Sequence, residues 1–329
     1  MTIEFFTGFE GCGSTADIQA FFDMTYSSSY PAYNNSGNGF DGGKCIRSGI
    51  VLGYCRKSCT AAKTKVVGFH VNDCAKYSYS SDTYNALIRF IGPQVTIFNS
   101  SSGLDIRVSA TQIDTSAAQI GSGLTHVEIK VFSDASAGTV EVKLNGVSVY
   151  EGTGLNTGGA DISSIYWGTC GNTTHYLDNL FIADDWQGEL RSYVLRPTSD
   201  VAAGFTPLSG TDNYAMVDDT GDDGDTTYVA SDTVSTKDLY GYGNIDTHTI
   251  VKAVSLVTVA RKDDAGARSI QHASRQDSTD YDHTAFALPT AYPGATGEGQ
   301  FEVLNAAPDS SAWTPAVLND IAWGFKVSA

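Results

Sequence analysis

Apolar and polar residues alternate most cleanly between residues 125 and 186. The runs HVEIKVFSD (126–134) and GTVEVKL (138–144) come first, and Asn145-Gly146 separates the second from VSVYEG (147–152). Asn-Gly between alternating runs predicts a two-residue hairpin, because both central residues of a type I′ turn need φ > 0. Val140, Val142 and Leu144 fall on one face, and Glu141, Lys143 and Asn145 on the other, so one side is apolar and the other wet. A Gly/Thr-rich loop leads to a further strand, YLDNLFIADDW (176–186). This is the pattern of an antiparallel β-sandwich.

Shorter alternating runs predict strands over 49–54, 64–71, 86–91, 95–99 and 104–109, with a short helix over 17–22. A strand over 189–195 finishes the first domain or bridges to the second. Arg196-Pro197-Thr198-Ser199 breaks it, and 204–210 reads as loop. The predicted domains are therefore 1–190 and 191–329. In the second, strands are predicted over 214–217, 227–229, 250–261, 268–275, 284–287 and 321–327. The clearest is 250–261, with Val251, Ala253, Ser255, Val257 and Val259 on one face and a hairpin turn over 262–266 after it. Pro315 suits the first turn of a helix over 314–319.

Composition sharpens this picture. The 329 residues are 41% hydrophobic and only 17% charged, with 34 Gly, 17 Tyr and 15 Phe, which favours strands and turns over helices and argues against disorder. A net charge of −17 repels phosphate backbones, so no nucleic-acid partner is expected. Glu4 stands where a signal peptide is basic, and no run approaches the roughly 18–20 apolar residues that cross a bilayer. The expectation is synthesis in the cytoplasm without a signal peptide, and no membrane partner. Cys12, Cys45, Cys55, Cys59, Cys74 and Cys170 all lie in the first domain. Cytoplasmic synthesis favours reduced thiols, whereas an even number in one domain suits a disulfide set formed after release; the sequence leaves their pairing open.

Catalytic motifs are missing: no G-x-S-x-G elbow, phosphate-binding loop or H-E-x-x-H occurs. His70, His126, His175, His248, His272 and His283 are scattered without ligand spacing. Glycoside hydrolysis needs two facing carboxyls, yet Glu128 and Glu141 stand alone on their strands and Asp184 and Asp185 point to opposite faces. The chain is accordingly expected not to be an enzyme. The densest acidic run supplies Asp218, Asp219, Asp222, Asp223 and Asp225 on a Gly-containing loop, hard oxygen ligands of the kind Ca²⁺ takes. No other cofactor is indicated. Tyr26, Tyr30 and Tyr33, with Phe40, are aromatic candidates for stacking on sugars.

The hairpin over 125–150 and the strand Tyr176-Leu-Asp-Asn-Leu-Phe-Ile-Ala-Asp184 resemble the concanavalin A-like (laminin-G-like) jelly roll. Gly188-Glu-Leu-Arg191, Thr206-Pro-Leu-Ser-Gly-Thr-Asp-Asn-Tyr-Ala-Met-Val-Asp218, Gly224-Asp-Thr-Thr-Tyr-Val-Ala-Ser231, 260–268 and the terminal 313–324 resemble virion structural proteins of tailed bacteriophages. The resemblance covers 120–329 and brings no catalytic residues with it. It implies an all-β chain, a jelly roll over 1–190 and a smaller β-sandwich assembly domain over 191–329. It further implies a virion surface protein, as capsid decoration or as a collar, neck or tail accessory, contacting other virion proteins and forming a homo-oligomer such as a trimer. Adhesion to a host-surface glycan is the alternative, and a glycan depolymerase stands third.

Overall fold

Alternation at the sequence level becomes two facing sheets in the computed structural model, which describes residues 1–19, 21–25, 32–34, 37–40, 43–48, 54–74, 76, 86–168, 175–292 and 300–329. The chain is all-β, and it divides into two compact units, Met1–Tyr193 and a second that begins at Val194.

In the first unit the strands are β1 (Ile3–Thr7), β2 (Met24–Thr25), β3 (Ala32–Asn34), β4 (Cys45–Ser48), β5 (Cys55–Ala62), β6 (Thr64–Asn72), β7 (Ile88–Ile91) and β8 (Val95–Ser100). They continue as β9 (Gly103–Val108), β10 (Thr111–Ser116), β11 (Thr125–Phe132), β12 (Gly138–Leu144), β13 (Val147–Leu155), β14 (Ile162–Trp167) and β15 (His175–Ala183). One sheet of eight runs β13-β12-β11-β6-β15-β4-β3, with β1 also on β15; a sheet of seven runs β10-β9-β8-β7-β14-β5-β2. This is the expected jelly-roll sandwich. Val67, Phe69, Val71, Val127, Ile129 and Val131 from the eight-stranded sheet are buried, as are Ile88, Phe90, Ile97, Ile106 and Trp167 from the other. Phe5 of β1 meets Trp167 of β14 at 6.2 Å between ring centroids, and that contact fixes which face of each sheet is the core.

Local chemistry explains the details. Asn145 (φ 49°) and Gly146 (φ 78°) form the predicted two-residue turn, with Leu144 opposite Val147. The helix α1 (Thr15–Gln19) starts on a reciprocal cap: Asp17 N donates to Ser14 Oγ at 3.2 Å and Ser14 N to Asp17 Oδ2 at 2.9 Å. Of the predicted strand 49–54, only Tyr54 lies within the described residues.

The second unit holds β16 (Pro197–Ala203), β17 (Thr206–Pro207), β18 (Val229–Ala230), β19 (Lys237–Tyr242), β20 (Val254–Thr258), β21 (Ser269–Gln276), β22 (Thr279–Ala287), β23 (Gln300–Leu304) and β24 (Ala322–Val327). A five-stranded sheet, β16-β19-β24-β21-β22, is joined by the two-stranded pairs β17-β18 and β20-β23. Trp313, Ile321 and Trp323 form one core cluster, with Val254, Leu256 and Leu304 packed on it. The helix α2 (Pro315–Asp320) carries Pro315 at its start, and its N-cap Thr314 accepts from Val317 N.

Five expectations are corrected here. Residues 189–195 are not a strand, because neighbouring backbone N–H groups are taken by side chains: Gln187 N and Gly188 N donate to Glu128 Oε1, and Ser192 N to Asn179 Oδ1. Pro197 opens β16 instead of breaking a strand, a position where its missing N–H costs no ladder bond. Tyr214–Met216 is a 3₁₀ turn, since the Asp200 carboxylate gathers Asn213 N and Tyr214 N. Finally β20 pairs with β23 and not with β21, so 262–266 is no hairpin. Within β20 Val254 and Leu256 pack on the core while Val257 is exposed, the reverse of the predicted face, although Val251 of that predicted face also packs on the core.

Candidate functional site

Register places an arginine–tyrosine row on the seven-stranded sheet. Arg56 of β5 lies opposite Tyr166 of β14, Tyr166 opposite Arg89 of β7, Arg89 opposite Thr96 of β8, Thr96 opposite Arg107 of β9, and Arg107 opposite Gln112 of β10. Directly opposed residues share a face, and Trp167 faces the core, so this row faces away from it. Tyr54 meets Tyr166 at 4.9 Å between centroids with the rings tilted by 42°, and the Arg89 guanidinium lies 5.6 Å from the Tyr166 ring centre. Tyr54, Arg56, Arg89 and Tyr166 are all half-buried.

The three guanidinium groups differ in their surroundings. Arg107 Nε donates to Asp105 Oδ2 at 2.9 Å. Arg56 Nε is 3.8 Å from Asp23 Oδ2, an ion pair without a hydrogen bond. Arg89 donates through Nη2 to the amide oxygen of Gln94 at 3.2 Å, and its covered Nε finds no acceptor among the described residues. Aromatic rings beside donor-rich guanidinium forks can stack a sugar ring and hydrogen-bond its oxygens.

A second polar cluster occupies the outward face of the eight-stranded sheet. Asp178 of β15, His70 of β6 and His126 of β11 form one cross-strand row. All are buried beneath segment 184–193, which is held through Glu128 and Asn179 and by Lys130, whose ammonium is 2.7 Å from Asp185. Burial pushes the Asp178 carboxyl up to about 7 against hydrogen bonds from Phe40 N and Asn179 N. Burial, with His126 and Arg191 nearby, holds the His70 imidazole down to about 3. His126 is lowered too, chiefly by burial. This cluster is closed: Phe40 stacks on His70 at 4.5 Å and Arg191 lies 4.2 Å from the Phe40 ring centre, so Phe40 offers no face to a sugar.

In the second unit Ser274 Oγ lies 2.8 Å from His283 Nε2, the contact a nucleophilic serine makes. Ser274 is fully buried on β21, however, and despite burial Glu302 is held down to about 2 by hydrogen bonds with His272 and Thr284. The arrangement locks the β20-β23 pair to the sheet. Asp238 plays a similar part: its buried carboxylate accepts from Gly204 N, Phe205 N, Asn213 Nδ2 and Tyr240 Oη.

Among the residues singled out from sequence, Tyr26, Tyr30 and Cys170 lie outside the described residues, and of Tyr33 the structure describes only its place in β3. Cys12, Cys45, Cys55 and Cys59 are free thiols in this structure. Burial raises Cys45 to about 12 and Cys59 to about 11, and Cys12 and Cys55 further, which leaves them protonated and unreactive. Cys74 is buried against Asn99 Nδ2. The acidic run is dispersed onto protein partners. Asp225 pairs with Arg261 at 2.9 Å and takes the Tyr292 hydroxyl, Thr227 Oγ1 lies 2.7 Å from Asp219 and 2.8 Å from Asp223, and Asp222 accepts from Gly224 N. Among the described residues no three His, Cys, Asp or Glu side chains converge to hold a metal ion.

The arginine row escapes a motif search because its members are far apart in sequence. Its only trace is the recurrence of an arginine between apolar neighbours, as in Ile88-Arg89-Phe90 and Ile106-Arg107-Val108.

No protein-family model and no curated protein matches the chain. Solved structures similar to it include domain 4 of an extracellular arabinanase from Geobacillus stearothermophilus in complex with arabinotriose. That domain is 14% identical with a TM-score of 0.36, over 55% of this chain and 93% of its own. A carbohydrate-binding module from Bacillus subtilis is 10% identical, TM-score 0.28, over 43% of this chain and 86% of its own. A sialidase is 11% identical, TM-score 0.37, over 55% of this chain, which spans only 18% of the sialidase. At these identities and scores they define neither a family nor a ligand for this chain, and they lend the bacteriophage reading no support.

Proposed function

We propose that the first unit is a carbohydrate-binding domain and that the outward face of its seven-stranded sheet receives the glycan. The observation that carries this reading is the Tyr54–Tyr166 ring pair flanked across the strands by Arg56 and Arg89. Ring stacking supplies sequence-independent adhesion to a sugar face, and the guanidinium donors select its hydroxyl or acidic oxygens. The role is binding and not hydrolysis. Asp105 is committed to Arg107 and Glu128 to segment 184–193, so neither is free to serve as one of the facing carboxyls a glycosidase uses. A glycan array probed with the full chain tests this: retention of defined glycans is expected, and retention of none would overturn it.

A second reading concerns where such a domain is displayed. The resemblance of 120–329 to tailed-phage structural proteins favours a virion surface protein, with the second unit attaching the first to the particle as a homo-oligomer. Electron microscopy of particles labelled with antibody to this chain is expected to mark their surface, and unlabelled particles would contradict the placement.

A further inference from the structure

The Arg89 charge has no counter-ion. Its recorded polar partner is the neutral amide of Gln94, its aromatic partner is Tyr166, and no carboxylate lies within ion-pair distance among the described residues. In a chain with 37 acidic and 20 basic residues this is unexpected, since surplus carboxylates elsewhere pair with Arg261, Arg268 and Arg275. Taking a guanidinium half out of water without an anion is unfavourable, and leaving its Nε–H without an acceptor adds to the cost. Arg56, on the other side of Tyr166, is only loosely paired at 3.8 Å, so its field adds to that of Arg89 over the same ring. The row therefore carries a local positive charge on an acidic molecule, and among the described residues Arg89 is the one of its three arginines without a carboxylate partner.

We propose that the glycan received on this face is anionic, its carboxylate or sulfate seated against Arg89 while its sugar ring stacks by the Tyr54–Tyr166 pair. This rests on the glycan-binding reading above and names the ligand class. A planar guanidinium matches a carboxylate geometrically, and a charge-assisted bond there is about twice as strong as a neutral one. The overall negative charge would repel such a ligand at distance, so affinity reflects a short-range balance. The ion pair weakens with salt, and the aromatic stacking does not.

The test uses the full chain on matched neutral, carboxylated (uronic or sialic acid) and sulfated glycans, with wild type and Arg89→Gln compared by calorimetry at low and high salt. Wild type is expected to bind an acidic series at least tenfold more tightly than the neutral one. Arg89→Gln is expected to lose that advantage, binding acidic and neutral glycans equally, while keeping its melting temperature. Preference for the carboxylated over the sulfated arm identifies the acid group. Equal binding of neutral and acidic glycans, unmoved by Arg89→Gln, would overturn the anionic inference and leave glycan binding standing. Binding of no glycan by wild type would overturn both.

Discussion

At the scale of single residues, what matters is which side chain the sheet register brings opposite which. Gly68 shows this sharply: a Cβ built there would lie 2.1 Å from the Phe181 ring, because a bulge at Asn179 (φ 49°) lays that ring over the neighbouring strand. Gly68→Ala is expected to destabilise the first unit by about 1–3 kcal/mol, the usual range for overpacking, and chemical denaturation measures it. The turn at Asn145-Gly146 was fully legible in the sequence because its physics is local. Arg56, Arg89 and Tyr166 were not, since cross-strand neighbours distant in sequence cannot be matched from one sequence alone.

Among the elements, the strands themselves were mostly legible and their edges and faces were not. Alternation located β6, β8, β11, β12 and β24 to within a residue or two, whereas β20 is apolar on both sides and its inward face was set by packing on Trp313 and Trp323. Segment 189–195 looked like a strand, but Ser192 N is taken by Asn179 and the preceding Gln187 N and Gly188 N by Glu128, a competition from side chains that alternation cannot reveal. The buried row beneath it makes stability depend on pH in two opposed ways. His70 titrates at about 3 folded against 6.5 ordinarily, so its contribution is present above 6.5 and is lost as pH falls toward 3. Asp178 titrates at about 7 against 3.8, so the folded state is favoured below 3.8 and loses that advantage as pH rises toward 7. His126 acts with His70, which tips the balance toward acid lability. Wild type is expected to melt at a lower temperature as pH falls from 6.5 toward 4, and His70→Gln to show a shallower fall. Parallel melting curves for the two proteins would contradict this account.

For the whole molecule, the sequence supplied the all-β class and the negative charge, but not where that charge is interrupted. In the second unit Asp225, Asp264, Asp280 and Asp282 pair with arginine or lysine, while in the first unit the polar partner of Arg89 among the described residues is a neutral amide. Composition argues against phosphate backbones as partners and says nothing about one positive row on one sheet. That row is the centre of the functional account. It is tested most directly by an NMR titration of the full chain with the glycan an array retains most strongly. Perturbations concentrated at Tyr54, Arg56, Arg89 and Tyr166 are predicted. Perturbations confined to the second unit, or to the His70–His126 face, would contradict it.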